Sequence, residues 1–271
     1  MARYEDFTVT NLHVEKILQA AAQAPGAGTA GLSPLIWEDC PTLNMLVDPT
    51  LGIFCGDDFA YVNTDGFPYN ITGTAGTFLG LAATPYGVAQ LNAPGTDNDE
   101  CYVQYNNGLS GLIKTDATKD WWFEARVKPS QITLAQGIFV GLAEEAGAVG
   151  ADFMTDNTMA LKVLDWIGFQ VLAATDIAAV YQTVMALNGG ARVAVDSTAG
   201  TPAVAFTKLG MKCVMGRVYF YINGVKLDTS VLNTATDFPL NQVMLPTFAT
   251  KCGQATQNTL NIDWWFAAQL R

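Results

Sequence analysis

Apolar and polar positions alternate with a period of two in several stretches of this chain. From Trp121 to Lys128 the alternation puts Trp122, Glu124, Arg126 and Lys128 on one face and Trp121, Phe123, Ala125 and Val127 on the other. Near the C-terminus it sets Ile262, Trp264 and Phe266 against Asp263, Trp265 and Ala267. This pattern marks β-strands with one buried face. Both stretches contain the tetrapeptide Asp-Trp-Trp-Phe, at Asp120–Phe123 and again 143 positions later at Asp263–Phe266. Adjacent tryptophans on a strand point to opposite faces. Each pair is therefore expected to give one ring to the core and one to a covered outer surface, with the two strands as neighbours in one sheet.

Further strands are expected at Phe78–Ala82, Glu100–Tyr105, Gly137–Leu142, Ile167–Leu172, Ala178–Met185, Ala203–Leu209, Lys212–Ile222 and Thr259–Gln269. Pro94-Gly, Asn106-Asn-Gly, Lys128-Pro-Ser and Asn188-Gly-Gly separate them as turn chemistry. Asn223-Gly224, between β-rich flanks, supplies the two positive-φ positions of a type I′ hairpin. One helix is expected at Asp156–Leu164. Many short strands with such turns predict an all-β, two-sheet antiparallel sandwich or jelly roll.

Residues 1–19 carry Phe7, Val9, Leu12 and Val14 at alternating or near-alternating positions, and residues 20–31 are rich in Ala and Gly without periodicity. The division expected is an N-terminal arm (1–19), a flexible linker (20–31) and a jelly-roll body (32–271). The arm either hooks onto a neighbour or forms the edge strand of its own domain. Residues 32–75 are either a separate lobe or the first strands of the body.

Composition changes the picture in three ways. Charged residues are 14% of the chain, against roughly 25% in typical soluble domains, as happens where much of the exterior is covered. The net charge of −11 with scattered basic residues argues against a nucleic-acid partner. No apolar run is long enough to span a membrane, and the N-terminus lacks the apolar region of a signal peptide. The five cysteines, at 40, 55, 101, 213 and 252, follow neither a zinc nor a disulfide spacing and read as free thiols, with a Cys40–Cys55 bridge as the alternative.

Several segments in order resemble the concanavalin A-like (laminin-G-type) jelly rolls of structural proteins in tailed-phage virions. They are Asp57-Asp-Phe59, Thr96–Gln104, Trp122–Lys128, Ile138–Leu142, Asp165–Phe169, Tyr219–Gly224 and Ile262–Phe266. The resemblance covers about residues 55–270. It implies a virion structural protein of the capsid decoration or cement type, a homotrimer on the capsid surface, bound to the major capsid protein or other virion subunits. In that role Phe7, Val9, Leu12 and Val14 would be the shell anchors. The alternative is a carbohydrate-binding module of a tail fibre.

The candidate chemistry is thin. A hydrolase of this fold needs paired carboxylates, whereas Glu124 is followed on its face by Arg126 and Lys128 and reads as a surface salt-bridge group. Glu144-Glu145 read as a solvated loop. The single histidine, His13, lies in the arm and leaves the body without an imidazole base. Asp97 and Asp99, within Asp97-Asn-Asp-Glu100, are a weak calcium candidate beside the simpler reading of a capped corner. Trp121, Trp122, Trp264 and Trp265 read as interface or sugar-stacking aromatics. No enzyme activity and no cofactor is expected.

Overall fold

A computed structural model describes residues 31–60, 69–72, 76–81, 87–105, 112–131, 136–144, 153–155, 165–171, 180–187 and 193–271. Two short helices come first, α1 (Pro34–Trp37) and α2 (Thr42–Val47). The strands follow as β1 (Gly52–Asp57), β2 (Tyr69–Thr72), β3 (Thr77–Gly80), β4 (Ala89–Ala93), β5 (Glu100–Tyr105) and β6 (Ile113–Lys114). Then come β7 (Trp121–Pro129), β8 (Gln136–Ala143), β9 (Trp166–Val171), β10 (Tyr181–Ala186) and β11 (Val193–Gly200). The last are β12 (Thr207–Val214), β13 (Arg217–Ile222), β14 (Val225–Leu232), β15 (Val243–Cys252) and β16 (Asn258–Leu270).

One sheet runs β14-β13-β12-β7-β16-β4-β3, with β1 also on β16; the other runs β11-β10-β9-β8-β15-β5-β2, with β6 on β15. All pairings are antiparallel, and the fold is the two-sheet jelly-roll sandwich expected. Between the sheets Trp121, Phe123, Ala125 and Val127 of β7 meet Phe248 of β15 and Val103 of β5.

The two Asp-Trp-Trp-Phe strands are neighbours, because β7 pairs with β16. Their faces differ from the expected assignment. Ile262 pairs with Val127 and Trp264 with Arg126, leaving Asp263 as the extra residue of a β-bulge. The bulge changes the phase, so Ile262, Trp265 and Ala267 all lie in the inter-sheet core, and Trp264 and Phe266 lie outside it. Sequence alternation cannot show an inserted residue, and the single-face grouping of Ile262 with Trp264 fails for that reason.

The expected strand Lys212–Ile222 is two strands, β12 and β13. Met215 and Gly216 turn between them with φ of 52° and 75°. A methionine in that region is uncommon, so nothing in the sequence marks the turn. The expected start of the preceding strand at Ala203 moves to Thr207. The Asn223-Gly224 hairpin has the expected positive φ at both residues, 53° and 76°. Strands β1, β2, β4, β6, β11 and β15 are not among those expected, nor are α1 and α2; β14 is the second arm of the expected Asn223-Gly224 hairpin. The helix expected at 156–164 and the turns at 106–108 and 188–190 lie outside the described residues.

Each sheet is also buried on its outer side. On the β8–β9 sheet, Tyr102, Phe139 and Trp166 form a second apolar cluster with Phe153 and Met154. Gly141 and Gly168 face each other across β8 and β9 beneath it, and a Cβ on either would lie about 2.5 Å from the other strand's carbonyl oxygen. The Phe139 ring occupies that space. A buried ion pair fixes the covering segment. Glu100 accepts from the Phe153 and Met154 amides at 2.8 and 3.0 Å, and Lys251 Nζ lies 3.3 Å from Glu100 and donates to the Met154 carbonyl at 3.0 Å.

Two outcomes test this packing. Trp265 fills the core and donates to the Tyr69 hydroxyl at 2.8 Å, which itself donates to Asp57 at 2.8 Å. Trp265→Ala removes the ring and the Tyr69 donor together and is expected to cost about 3–5 kcal/mol, read from the chemical denaturation midpoint. Burial pushes the Glu100 carboxyl up to about 7 against the opposing pull of Lys251. The folded state therefore holds this proton more tightly than the unfolded chain, and the associated stability is lost as pH rises through 7. Relative to Glu100→Gln, the wild type is expected to lose stability between pH 4.5 and pH 8, measured by denaturant titration across that range.

Candidate functional site

The outer face of the β7–β12–β16 sheet holds residues 31–47 down as a strap. Ser33 precedes α1 and Pro34 takes its first turn, where a missing N–H costs nothing. The Ser33 amide instead donates to Glu124 Oε2 at 2.9 Å, and the Trp37 indole donates to the same oxygen at 2.7 Å. Glu124 is thus fully buried, and the expectation of a surface salt-bridge group is corrected. Its neighbours on β7 look like solvent partners in the sequence, but the strap excludes the solvent. Burial holds its carboxyl above the usual carboxylate range, opposed by the Ser33 and Trp37 hydrogen bonds and by Lys208.

Three further contacts complete the clamp. Lys208 Nζ donates to the Gly31 carbonyl at 3.0 Å. Lys212 Nζ meets Asp39 at 2.8 Å and Glu38 at 3.6 Å. Asp39 also accepts from the Trp122 indole at 2.8 Å. Gly210 gives room for the strap: a Cβ there would stand 2.4 Å from Ile36 Cδ1. Beneath the strap Ile36, Trp37, Cys40 and Met45 pack with Trp122, Tyr221 and Ala268. A ladder of rings extends this layer, with Trp37 edge-on to Phe54 at 5.8 Å, Phe54 stacked on Phe266 at 5.6 Å, and Phe266 beside Trp264 at 5.8 Å. Past the strap, Arg126 pairs with Asp263 and its guanidinium sits 4.3 Å above the Phe206 ring.

The predicted site residues separate accordingly. Trp121 and Trp265 are inter-sheet core, and Trp122 and Trp264 are outer-face residues exposed by only 1% and 8%. The chain's own packing takes up the ring surface that interface or stacking would use. Phe7, Val9, Leu12, Val14 and His13 lie outside the described residues, as does Glu145. Asp97 and Asp99 do not converge with Glu100. Asp99 accepts from the Thr96 amide at 2.8 Å and Asn98 takes a φ of 69°, which makes a capped corner. Glu100 turns away to Lys251, and no group of three or more metal-ligating side chains occurs among the described residues. Asp57-Asp58 cap their own loop, through the amides of Phe59 and Ala60.

One acidic pair went unseen in the sequence because 21 positions part its members. Glu144 follows β8 and Asp165 precedes β9, and burial and then Asp165 raise the Glu144 carboxyl. The Glu144 amide also donates to the Asp165 carbonyl at 2.8 Å. The five cysteines are free, and burial pushes the Cys55, Cys101 and Cys213 thiols up to about 12.

Glu124→Ala leaves the Ser33 amide and the Trp37 indole without their buried acceptor. It is expected to cost about 2–4 kcal/mol and to speed amide exchange in residues 33–47 while β8 and β9 stay protected, measured by hydrogen–deuterium exchange mass spectrometry.

No family model and no curated protein matches the sequence. Among solved structures, the chain is similar to peanut lectin at 12% identity, covering 81% of this chain and 98% of the lectin with a TM-score of 0.53. The legume lectin-like domain from Entamoeba histolytica aligns at 12% identity over 73% of this chain and 89% of that domain, TM-score 0.49. The carbohydrate recognition domain of Emp46p in its metal-free form aligns at 6% identity over 78% and 94%, TM-score 0.48. The fold of this chain is the concanavalin A-like, legume-lectin-like jelly roll.

Proposed function

We propose that this chain is a non-enzymatic virion structural protein of the phage capsid decoration or cement type. The observation that carries the reading is the clamp on residues 31–39. Glu124, Lys208 and Lys212, all buried or nearly so, fix the point at which residues 1–30 join the body. A body that grips the root of a preceding segment on a buried face can pass load from that segment into its sheets. In this proposal residues 1–19 are the arm, with Phe7, Val9, Leu12 and Val14 as anchors, residues 20–31 are the linker and 32–271 the body. The arm adds to a neighbouring major capsid protein or other virion subunit by strand pairing and apolar burial. The protein sits on the capsid surface, as a homo-oligomer of the trimeric kind that the sequence resemblance implies. Glu100, Glu124, Asp57 and Asp99 serve structural contacts, which fits a binding role.

The second reading is a carbohydrate-binding module of a tail fibre, and the likeness to peanut lectin favours it. The ligand site of such a module would draw on loops, since the four tryptophans are buried.

Deleting residues 1–30 is expected to leave the body folded, with its thermal midpoint within about 3 °C, and to abolish co-sedimentation with capsids. Undiminished capsid binding by the truncated chain would overturn the arm model. A glycan array probed with the full chain separates the second reading, because specific glycan binding that survives the truncation places function in the body.

A further inference from the structure

Large apolar side chains exposed on this body gather at one end of the sandwich. Eleven are exposed among the described residues, and six of them (Leu46, Val47, Leu51, Met215, Leu232 and Val243) belong to that end. Hydrogen bonds and strand pairings bring together the segments that carry Leu51, Met215, Leu232 and Val243, and Leu46 and Val47 shortly precede Leu51 in the chain. The Leu51 carbonyl accepts from Arg271, and the Leu270 amide donates to Asp120. Asp120 in turn accepts from the Met215 amide at 3.0 Å. Arg217, two residues on, pairs with Leu232. Lys114 donates to Gln269 at 2.8 Å and pairs with Val243. The Asn233 side chain, bonded to the Ala117 carbonyl at 3.1 Å, ties the β13–β14 side of this end to the β6 side.

Met215 is the most telling of the six. It is 94% exposed at the tip of the β12–β13 turn, with a φ of 52° where glycine or asparagine is the ordinary choice. An apolar, adaptable side chain held out at a strained position is a contact residue in search of a surface. Val47, 78% exposed, is the last residue of α2 and lies four positions before Leu51.

Charge identifies the partner. The segments that carry these residues, 46–51, 112–120, 214–217, 232–243 and 269–271, contain four acids (Asp48, Asp116, Asp120, Asp237) and four bases (Lys114, Lys119, Arg217, Arg271). The chain's net −11 therefore lies entirely outside them. Two copies of so acidic a chain repel each other over most of their surface. At this end the repulsion is absent, apolar groups protrude, and both signs of charge are present for self-complementary pairing. We infer that this end is a self-association surface, where a second copy of the chain docks through Val47, Leu51, Met215 and Leu232. It lies opposite the Asn223-Gly224 turn, beside which Ser33 and the strap root sit, so association leaves residues 1–30 free to engage another partner. The inference holds whether the body serves a shell or a glycan.

Sedimentation velocity of the full chain over a wide concentration range tests it without any particle or sugar. The wild type is expected to sediment at a multiple of 29.0 kDa. Val47→Asp with Met215→Asn, both at exposed positions and the second suited to positive φ, is expected to raise the dissociation constant by at least about 100-fold. Its far-UV circular dichroism spectrum should match the wild type, showing that the variant is folded. Val225→Asp, at the opposite end, is expected to leave the mass unchanged. A wild type that stays at 29.0 kDa throughout overturns the inference, including the case in which this end binds a different partner. So does an oligomer that survives the double substitution or dissociates with Val225→Asp.

Discussion

A sandwich whose sheets are apolar on both faces must cover its outside as well as fill its inside. That constraint organises this protein. The low content of charged residues means that few side chains can solvate an outer sheet face, so short segments of chain do the covering. Residues 33–47 lie over one sheet and Phe153–Met154 over the other. Each cover is held by a buried carboxylate, Glu124 in the first case and Glu100 in the second, which accepts backbone amides of the segment above it. Such carboxylates are costly to bury, and breaking either pair would strand charge or donors away from water. They specify where the covers sit.

This arrangement also explains which parts of the molecule were legible in the sequence. β5 was read at its observed bounds, and β7, β8 and β9 to within a residue, since long aromatic and β-branched runs with fixed alternation admit one reading. The adjacency of β7 and β16 followed from their shared motif. The helices α1 and α2 were not legible, because four and six residues are too few to show a 3.6-residue period. Glu124 misled for a related reason. Its flanking charges at 126 and 128 suit a solvated face, and only the strap, a contact across some ninety positions, removes the water. The pairing of Glu144 with Asp165 and of Glu100 with Lys251 is likewise a matter of topology, which no local spacing encodes.

The candidate site shows the same division. The sequence pointed to tryptophans and to an acidic corner, and both proved to be parts of the scaffold. The features on which the proposed roles rest are the clamp at the strap root and the neutral, apolar end around Met215. Both arise from residues distant in sequence, and neither uses a residue type that advertises chemistry.

The bulge at Asp263 bears on how the chain's history is read. The two Asp-Trp-Trp-Phe copies are identical in letters, yet the first sends its leading tryptophan to the core and the second its trailing one. A sequence comparison that superimposed the copies would align inward residues with outward ones. One spelling thus serves two unequal ways of packing a tryptophan pair, and letter identity alone does not align the copies in space.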